Sequence, residues 1–392
     1  MSNRANFLRH VAQTSPAPMG LEIASGQGIH LVDTSGKKYL DLIAGIGVSV
    51  LGHNNSTVVK AVQEQAGKYM HTLVYGEFVL APQAEYAALV AAQLPAGLDN
   101  VYFVNSGTEA TEGAMKLAKR ATGRGAFISA KRSYHGSTQG AATLQWPKDF
   151  TQAFYPLLPG VTHLDFNCDY CLNNITEQTA AVILETVQAE WGIRKPRPEW
   201  LQAVRKRCDQ VGALLILDEI QAGMGRTGTL FAFEQYGVVP DILLLAKGFG
   251  GGMPLGAFVA NKKVMDLFTD DPVLGHITTF GGHPVSCAAG LATMKTLLSN
   301  PELITGVRAK EALFHELLVH PKIRQVRSAG LWMAVELDDF DQIRETISRC
   351  LDLGLITDWF LWNERSLRIA PPLTITEEEI REACGIILAS LD

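Results

Sequence analysis

The sequence predicts an α/β protein. A large domain carries a mainly parallel sheet flanked by helices, and a smaller α+β domain is made from both termini. Three observations carry this prediction. First, short apolar runs recur: "VYFVN" (101–105), "AFISA" (126–130), "AAVILE" (180–185), "ALLILD" (213–218), "DILLLA" (241–246) and "GAFVA" (256–260). They are continuous rather than alternating, the pattern of strands covered on both faces. Second, helix patterns lie between some of them, such as "TEATEGAMKLAKRA" (108–121) and "EWLQAVRKRCDQ" (199–210). Strands that alternate with helices build a parallel sheet. Third, the two ends of the chain read differently. "GIHLVDTSGKKYLDL" (28–42) reads as a β-hairpin turning at Ser35-Gly36. From about 293 onward, helices such as 308–319 mix with short strands such as "LWMAVEL" (331–337) and "SLRIAPP" (366–372). The large domain is expected over 47–292, and the small one over 1–46 and 293–392.

Composition narrows the function. Net charge is −6 with no block of like charges, which argues against nucleic acid and anionic membranes as partners. No stretch approaches the ~18 apolar residues of a membrane span. The first twenty residues lack the apolar core of a secretory signal. A cytoplasmic location is the expectation. Of the six cysteines, only Cys168 and Cys171 form a C-x-x-C. No second pair or paired histidines follow, so no metal site is expected. The surrounding "FNCDYCLNN" reads as a loop, and the cysteines read as ordinary reduced thiols.

Three strand ends carry chemistry. After "VYFVN", Ser106-Gly107-Thr108 turns into a helix. Ser106 and Glu109 have the S-x-x-E spacing of a capping box. The same helix start offers free N–H groups and a partial positive charge, which suit a phosphate. Asp218 and Glu219 sit where "LLILD" ends, and a carboxylate there needs a cationic partner or several donors. Lys247 follows "DILLLA" with Gly248, Gly250, Gly251 and Gly252 behind it. At the rim of a buried sheet, desolvation lowers an amine's pKa and makes it nucleophilic. A capped helix, an exposed acid and a solvated lysine would each be ordinary alone. Together they are the three fixed points of pyridoxal 5'-phosphate: a seat for the phosphate, an acid for the pyridine nitrogen and a lysine for the Schiff base.

The chain resembles the class III (ornithine/acetylornithine-type) aminotransferases of fold type I. The resemblance rests on "NSGTEA", "SYHGSTQGA", "ETVQAEWG", "LDEIQAGMGRTG", "LLAKGFGGGMPLGA" and "TTFGGHP", and it spans nearly the whole length. It implies a ping-pong Schiff-base transfer from an amino donor to a 2-oxo acid such as 2-oxoglutarate. The donor would be an ω-amino or α-amino acid of the ornithine or acetylornithine kind. It implies Lys247 as the Schiff-base lysine and proton shuttle, and Asp218 as partner of the ring nitrogen. Gln221 would contact the ring oxygen, and Ser106, Gly107 and Thr108 would cradle the phosphate. Tyr134 would stack on the ring, with His135 beside it among the cofactor-binding residues. Thr279 would reach the phosphate of a neighbouring subunit, which implies a homodimer with shared active sites. Arg368 would bind the α-carboxylate, and Glu190 would pair with Arg368 when an ω-amine is bound.

One departure stands out. Many members carry "HGR", whose arginine binds a distal carboxylate, whereas this chain has "HGS" with Ser137. Losing a charge-assisted hydrogen bond of roughly 1.5–3 kcal/mol costs on the order of ten- to a hundredfold in affinity. Arg132 is a candidate to compensate. Rival readings are a decarboxylating transaminase, an aminomutase, a non-catalytic binding protein and an NAD-dependent dehydrogenase. The last rests on Gly223, Gly225 and Gly228, a formal G-x-G-x-x-G. It fails on context, because only "TLFAFEQYGVVP" separates Gly228 from the next strand. That is too short and broken for the crossover helix a dinucleotide needs. "GMGRTG" instead reads as a tight loop beside the pyridoxal ring.

Overall fold

The computed structural model describes residues 2–392. Its centre is a seven-stranded sheet. The spatial order is Asn100–Val104, Gly256–Ala260, Ile242–Leu245, Leu214–Asp218, Thr179–Glu185, Ala126–Ala130 and Val161–Leu164. Only Gly256–Ala260 runs antiparallel to its neighbours. All six predicted runs are strands of this sheet, although the first ends at Val104 rather than Asn105. The edge strand "VTHL" (161–164) escapes a hydropathy reading because it is short and half polar.

The continuous apolar runs have a direct cause. Along Thr179–Glu185, Val182 and Leu184 enter one core with Trp200, Leu201 and Val204 of the helix Pro198–Val211. Ala181 and Ile183 enter a second core with Ala114 and Met115 of the helix Gly107–Thr122. Both faces are buried, so both residue sets must be apolar. The helix Pro284–Ser299 is buried around most of its circumference and packs on Ser56–Lys68 and Ala81–Ala92.

Two smaller sheets complete the architecture. Ile23–Gln27, His30–Asp33 and Lys38–Asp41 form an antiparallel set, and Leu355–Ile356 joins it parallel to Lys38–Asp41. The expected hairpin is present, with Gly36 at φ +88° in its turn. Gln325–Ser328, Met333–Glu336, Asn363–Ile369 and Trp359–Phe360 form the other sheet. Among the described residues no helix is long and apolar enough to cross a membrane.

Two expectations are corrected. Cys168 and Cys171 are joined in a disulfide rather than left as free thiols. A 3₁₀ turn over Tyr170–Asn174 brings their Cα atoms to 5.4 Å, within bridging reach. The "GMGRTG" loop does not lie beside the cavity described below. Arg226 is buried and donates to the carbonyls of Leu331 and Pro371. A Cβ on Gly225 would meet Leu373 and Ile304. The loop is therefore a joint with C-terminal segments.

The helix Gly107–Thr122 must lie close to the sheet for its N-terminus to reach the rim. Gly113 permits this: a Cβ there would stand 2.4 Å from Phe258 Cε1. Overpacking costs roughly 1–3 kcal/mol, and Ala recovers about 1 kcal/mol of helix propensity. Gly113→Ala should therefore lower unfolding stability by on the order of 1 kcal/mol in a denaturant titration. An unchanged or raised stability would contradict this packing.

Candidate active site

Parallel strands end on one side of a sheet, and ligands bind beyond those ends. Here Val104, Ala130, Glu185, Asp218 and Leu245 all terminate at the same rim. A cavity of about 490 Å³ opens above them, a size suited to a small cofactor with its substrate. Ser106, Gly107, Thr108, Tyr134, His135, Asp218, Gln221 and Lys247 all line it. These were singled out from four separate stretches of sequence.

The helix start is built as an anion seat. Ser106 is the N-cap, and its Oγ accepts from Glu109 N at 3.3 Å. The reciprocal arm of the capping box is displaced by one residue. Glu109 Oε2 accepts from Asn105 N at 2.7 Å and from Asn105 Nδ2 at 2.9 Å. Gly107 N–H and Thr108 N–H, first in the helix, have no carbonyl to reach within it. Thr108 Oγ1 is held 2.7 Å from Thr138 Oγ1. Gly136 makes that fit possible, since a Cβ there would stand 2.2 Å from Thr108 Oγ1.

The two acids of "LLILDE" point to opposite sides, as strand alternation requires. Asp218 faces the cavity. Its Oδ2 lies 2.7 Å from His135 Nδ1, and its Oδ1 accepts from Ile220 N at 2.9 Å. A carboxylate has about four acceptor sites, so room remains for a ligand N–H. Glu219 turns away and accepts from Ala232 N and Phe233 N. Burial pushes its carboxyl up to about 7. That pair of bonds explains the short turn Ala232–Tyr236 where a dinucleotide fold would have a helix.

Lys247 opens a 3₁₀ turn with φ +51°, a conformation uncommon for a residue with a side chain. Burial lowers its amine to about 8. Nearby Glu190 opposes the shift and Arg368 adds to it. Near neutrality such an amine is still mostly protonated, but its free-base fraction, which nucleophilic use requires, is far larger than that of an ordinary lysine.

Arg368 and Glu190 meet in a buried bidentate pair. Arg368 Nη1 donates to Glu190 Oε1 at 3.0 Å and Nη2 to Oε2 at 2.9 Å. The guanidinium also lies 4.5 Å from the Phe360 ring centroid. Asp358 Oδ1 stands 2.9 Å from Arg368 Nε, a charge contact out of line with the N–H. Burial opposes charge on every member. Arg368 still holds Glu190 below the usual carboxylate range, whereas burial lifts Asp358 to about 6.

The comparisons agree with this geometry. Residues 11–391 match the family model of class III aminotransferases. The chain belongs to the class III aminotransferases. It is 40% identical over 374 residues to an acetylornithine aminotransferase of Methanopyrus kandleri, covering 94% of each chain. It is 40% identical over 380 residues to a putrescine aminotransferase of Pectobacterium atrosepticum, covering 91% of this chain and 78% of that one. An ornithine aminotransferase structure from Toxoplasma gondii, described with partial occupancy of PLP at its active site, superposes with a TM-score of 0.90. It is 29% identical and covers 99% of this chain and 92% of its own. The protein therefore catalyses amino-group transfer with pyridoxal phosphate, and its fold is that of the fold type I transaminases.

Thr279 is exposed and lies outside the lining of this cavity. Its neighbour Thr278 accepts from Asn105 Nδ2 and Gly281 N. One feature of this aminotransferase departs from the sequence reading: Arg132 does not line the cavity. Its guanidinium sits 4.7 Å from the Trp191 ring centroid. Glu185, in contrast, lines the cavity and was not singled out beforehand. It ends a strand beside Asp218, the same signal that marked Asp218 itself.

The amine value sets a pH dependence. Lys247 is depressed from 10.5 to about 8, so the free amine gains population as pH rises through about 8. The rate at which cofactor-free protein takes up pyridoxal phosphate should climb to a plateau above that pH. Borohydride should then fix the cofactor at Lys247. A rise centred near 10, or trapping at another lysine, would contradict the assignment.

Proposed function

We propose that this aminotransferase moves an amino group from an ω-amine donor to a 2-oxo acid such as 2-oxoglutarate. In this reading Ser106, Gly107 and Thr108 hold the cofactor phosphate, and Asp218, braced by His135, holds the ring nitrogen. Tyr134 and Gln221 flank the ring. The cofactor, when bound, supplies an electron sink for carbanionic charge. Lys247 Nζ would take the proton from the carbon bearing the amine and deliver it to the cofactor carbon joined to the same nitrogen, so that the amino group stays with the cofactor.

The observation that carries the reading is the Arg368–Glu190 pair. A ping-pong enzyme binds two unlike partners in one site. The 2-oxo acid brings a carboxylate next to the reacting carbon, and the ω-amine brings none. A buried arginine left without a partner costs several kcal/mol. Glu190 supplies the partner when the amine is bound and yields it when the acid arrives.

In this reading the far end of the donor would meet no cation among the described residues that line the cavity. Among the described residues, Lys247 is the only lysine or arginine lining the cavity, and Ser137 Oγ is 2.9 Å from Tyr134 OH. This favours a donor whose far end is neutral or positively charged, as in a diamine. The relationship to acetylornithine aminotransferase supports a second reading, in which the donor is acetylornithine itself.

A homodimer with shared sites belongs to the same proposal. Thr279 lies in a segment with exposed apolar side chains, among them Val273, Leu274, Ile277 and Phe280. Met70, Phe78 and Val79 add a second exposed set. Clusters of this kind mark protein interfaces.

Arg368→Ala should raise KM for 2-oxoglutarate by on the order of ten- to a hundredfold, the worth of a charge-assisted contact. It should change the half-reaction with 1,4-diaminobutane far less. Equal losses with both partners, measured by single-turnover absorbance changes, would defeat the reading.

A further inference from the structure

Glu185 is the one acid lining the cavity that the account above leaves without a task. It is the last residue of its strand and only 5% exposed. It pairs in register with Asp218 on the next strand. No basic side chain bonds to it. Its Oε1 accepts from Tyr134 N at 2.9 Å, and its Oε2 accepts from Ala189 N at 2.8 Å. Burial, then the charge of Asp218, push its carboxyl well above the usual range. The two backbone N–H bonds are what offset that disadvantage.

What it holds is specific. Tyr134 flanks the seat of the ring. Ala189 directly precedes Glu190, the partner of Arg368. The turn that carries Glu190 is closed by paired 2.9 Å bonds between the backbones of Gln188 and Arg194. Gln188 Nε2 ties the same turn to Lys131 O at 2.9 Å. The Glu190 turn and the Lys131–Tyr134 segment are thus fastened by two hydrogen-bonded links, besides the stacking of Arg132 on Trp191. Only the fastening through Glu185 faces the cavity.

We propose that Glu185 is a positioning residue that couples the ring seat to the Glu190 switch. One carboxyl group holds both backbones, so neither shifts alone. When Glu190 leaves Arg368 for an incoming 2-oxo acid, the pull on Ala189 N reaches Tyr134 N through two oxygens of one side chain. The ring is then seated to suit whichever partner occupies the site. This rests on the switch reading given under the proposed function.

The test uses the holoenzyme and two variants. Glu185→Gln keeps the length but turns one acceptor into a donor facing an N–H. Glu185→Asp keeps the charge but is too short to serve both amides. Each should retain cofactor, alter its visible circular dichroism and lower kcat by on the order of tenfold. Each should also change the ratio of the half-reaction rates with 2-oxoglutarate and 1,4-diaminobutane. Wild-type behaviour in both variants overturns the proposal. So does a normal Glu185→Asp beside a defective Glu185→Gln, since charge rather than tethering would then be the role. Should either variant fail to fold, hydrogen exchange on the wild-type holoenzyme decides. The Tyr134 and Ala189 amides should change protection together on saturation with 2-oxoglutarate, and a change at Ala189 alone overturns the coupling. Failure of the switch reading is distinct, because it shows in Arg368→Ala with Glu185 intact.

Discussion

A buried ion pair outside the cavity lining, but within charge range of Lys247, organises the site. Arg368 and Glu190 neutralise each other away from water, where an unpaired charge is expensive and a paired one is tolerated. Removing Arg368 strands Glu190, and removing Glu190 leaves Arg368 with only Asp358 and the Trp359 carbonyl. Each can, however, be replaced by a ligand of the same charge. On the proposed reading the site would have two low-energy states rather than one, which is what a two-partner reaction needs. Asp358 adds a second negative group beside Arg368, and burial has already raised it to about 6. It can share the guanidinium without binding it firmly. Lys247 lies within the same field, and this group of charges, together with burial, sets its amine near 8.

The sheet explains how such distant residues meet. Helix start, acid and lysine follow three strands that all stop at one rim. Arg368 comes from a different sheet, on the strand Asn363–Ile369 paired with Met333–Glu336. Glu190 reaches it from the turn after the central strand Thr179–Glu185. Arg226, buried and bonded to Leu331 O and Pro371 O, fixes that C-terminal region to the loop after Asp218. Gly225 and Gly228 of "GMGRTG" pack against Ile304, Leu373 and Arg308 at this joint.

Much of the fold was legible because both faces of the central sheet are covered. Each strand then reads as an unbroken apolar run, and the six read in this way are all strands of one sheet. The edge strand Val161–Leu164 was not legible, since it is mostly polar or half exposed. The three strand-end residues stood out because each combined a chemical group with an abrupt end of hydrophobicity. Glu185 carries the same strand-end signal, but nothing in local sequence shows that its carboxyl is held by two backbone amides. The Cys168–Cys171 bond was misread for a related reason. A three-residue spacing says little until the chain is known to turn there. Arg132 looked like a spare cation for a distal carboxylate, and only the fold reveals that it is stacked on Trp191.

The most direct measurement is a crystal structure of the holoenzyme with 2-oxoglutarate held in the site. The account predicts the α-carboxylate in bidentate contact with Arg368, Glu190 turned off the guanidinium, and Asp358 still beside Nε. Glu190 remaining on Arg368 while the carboxylate binds elsewhere would contradict it.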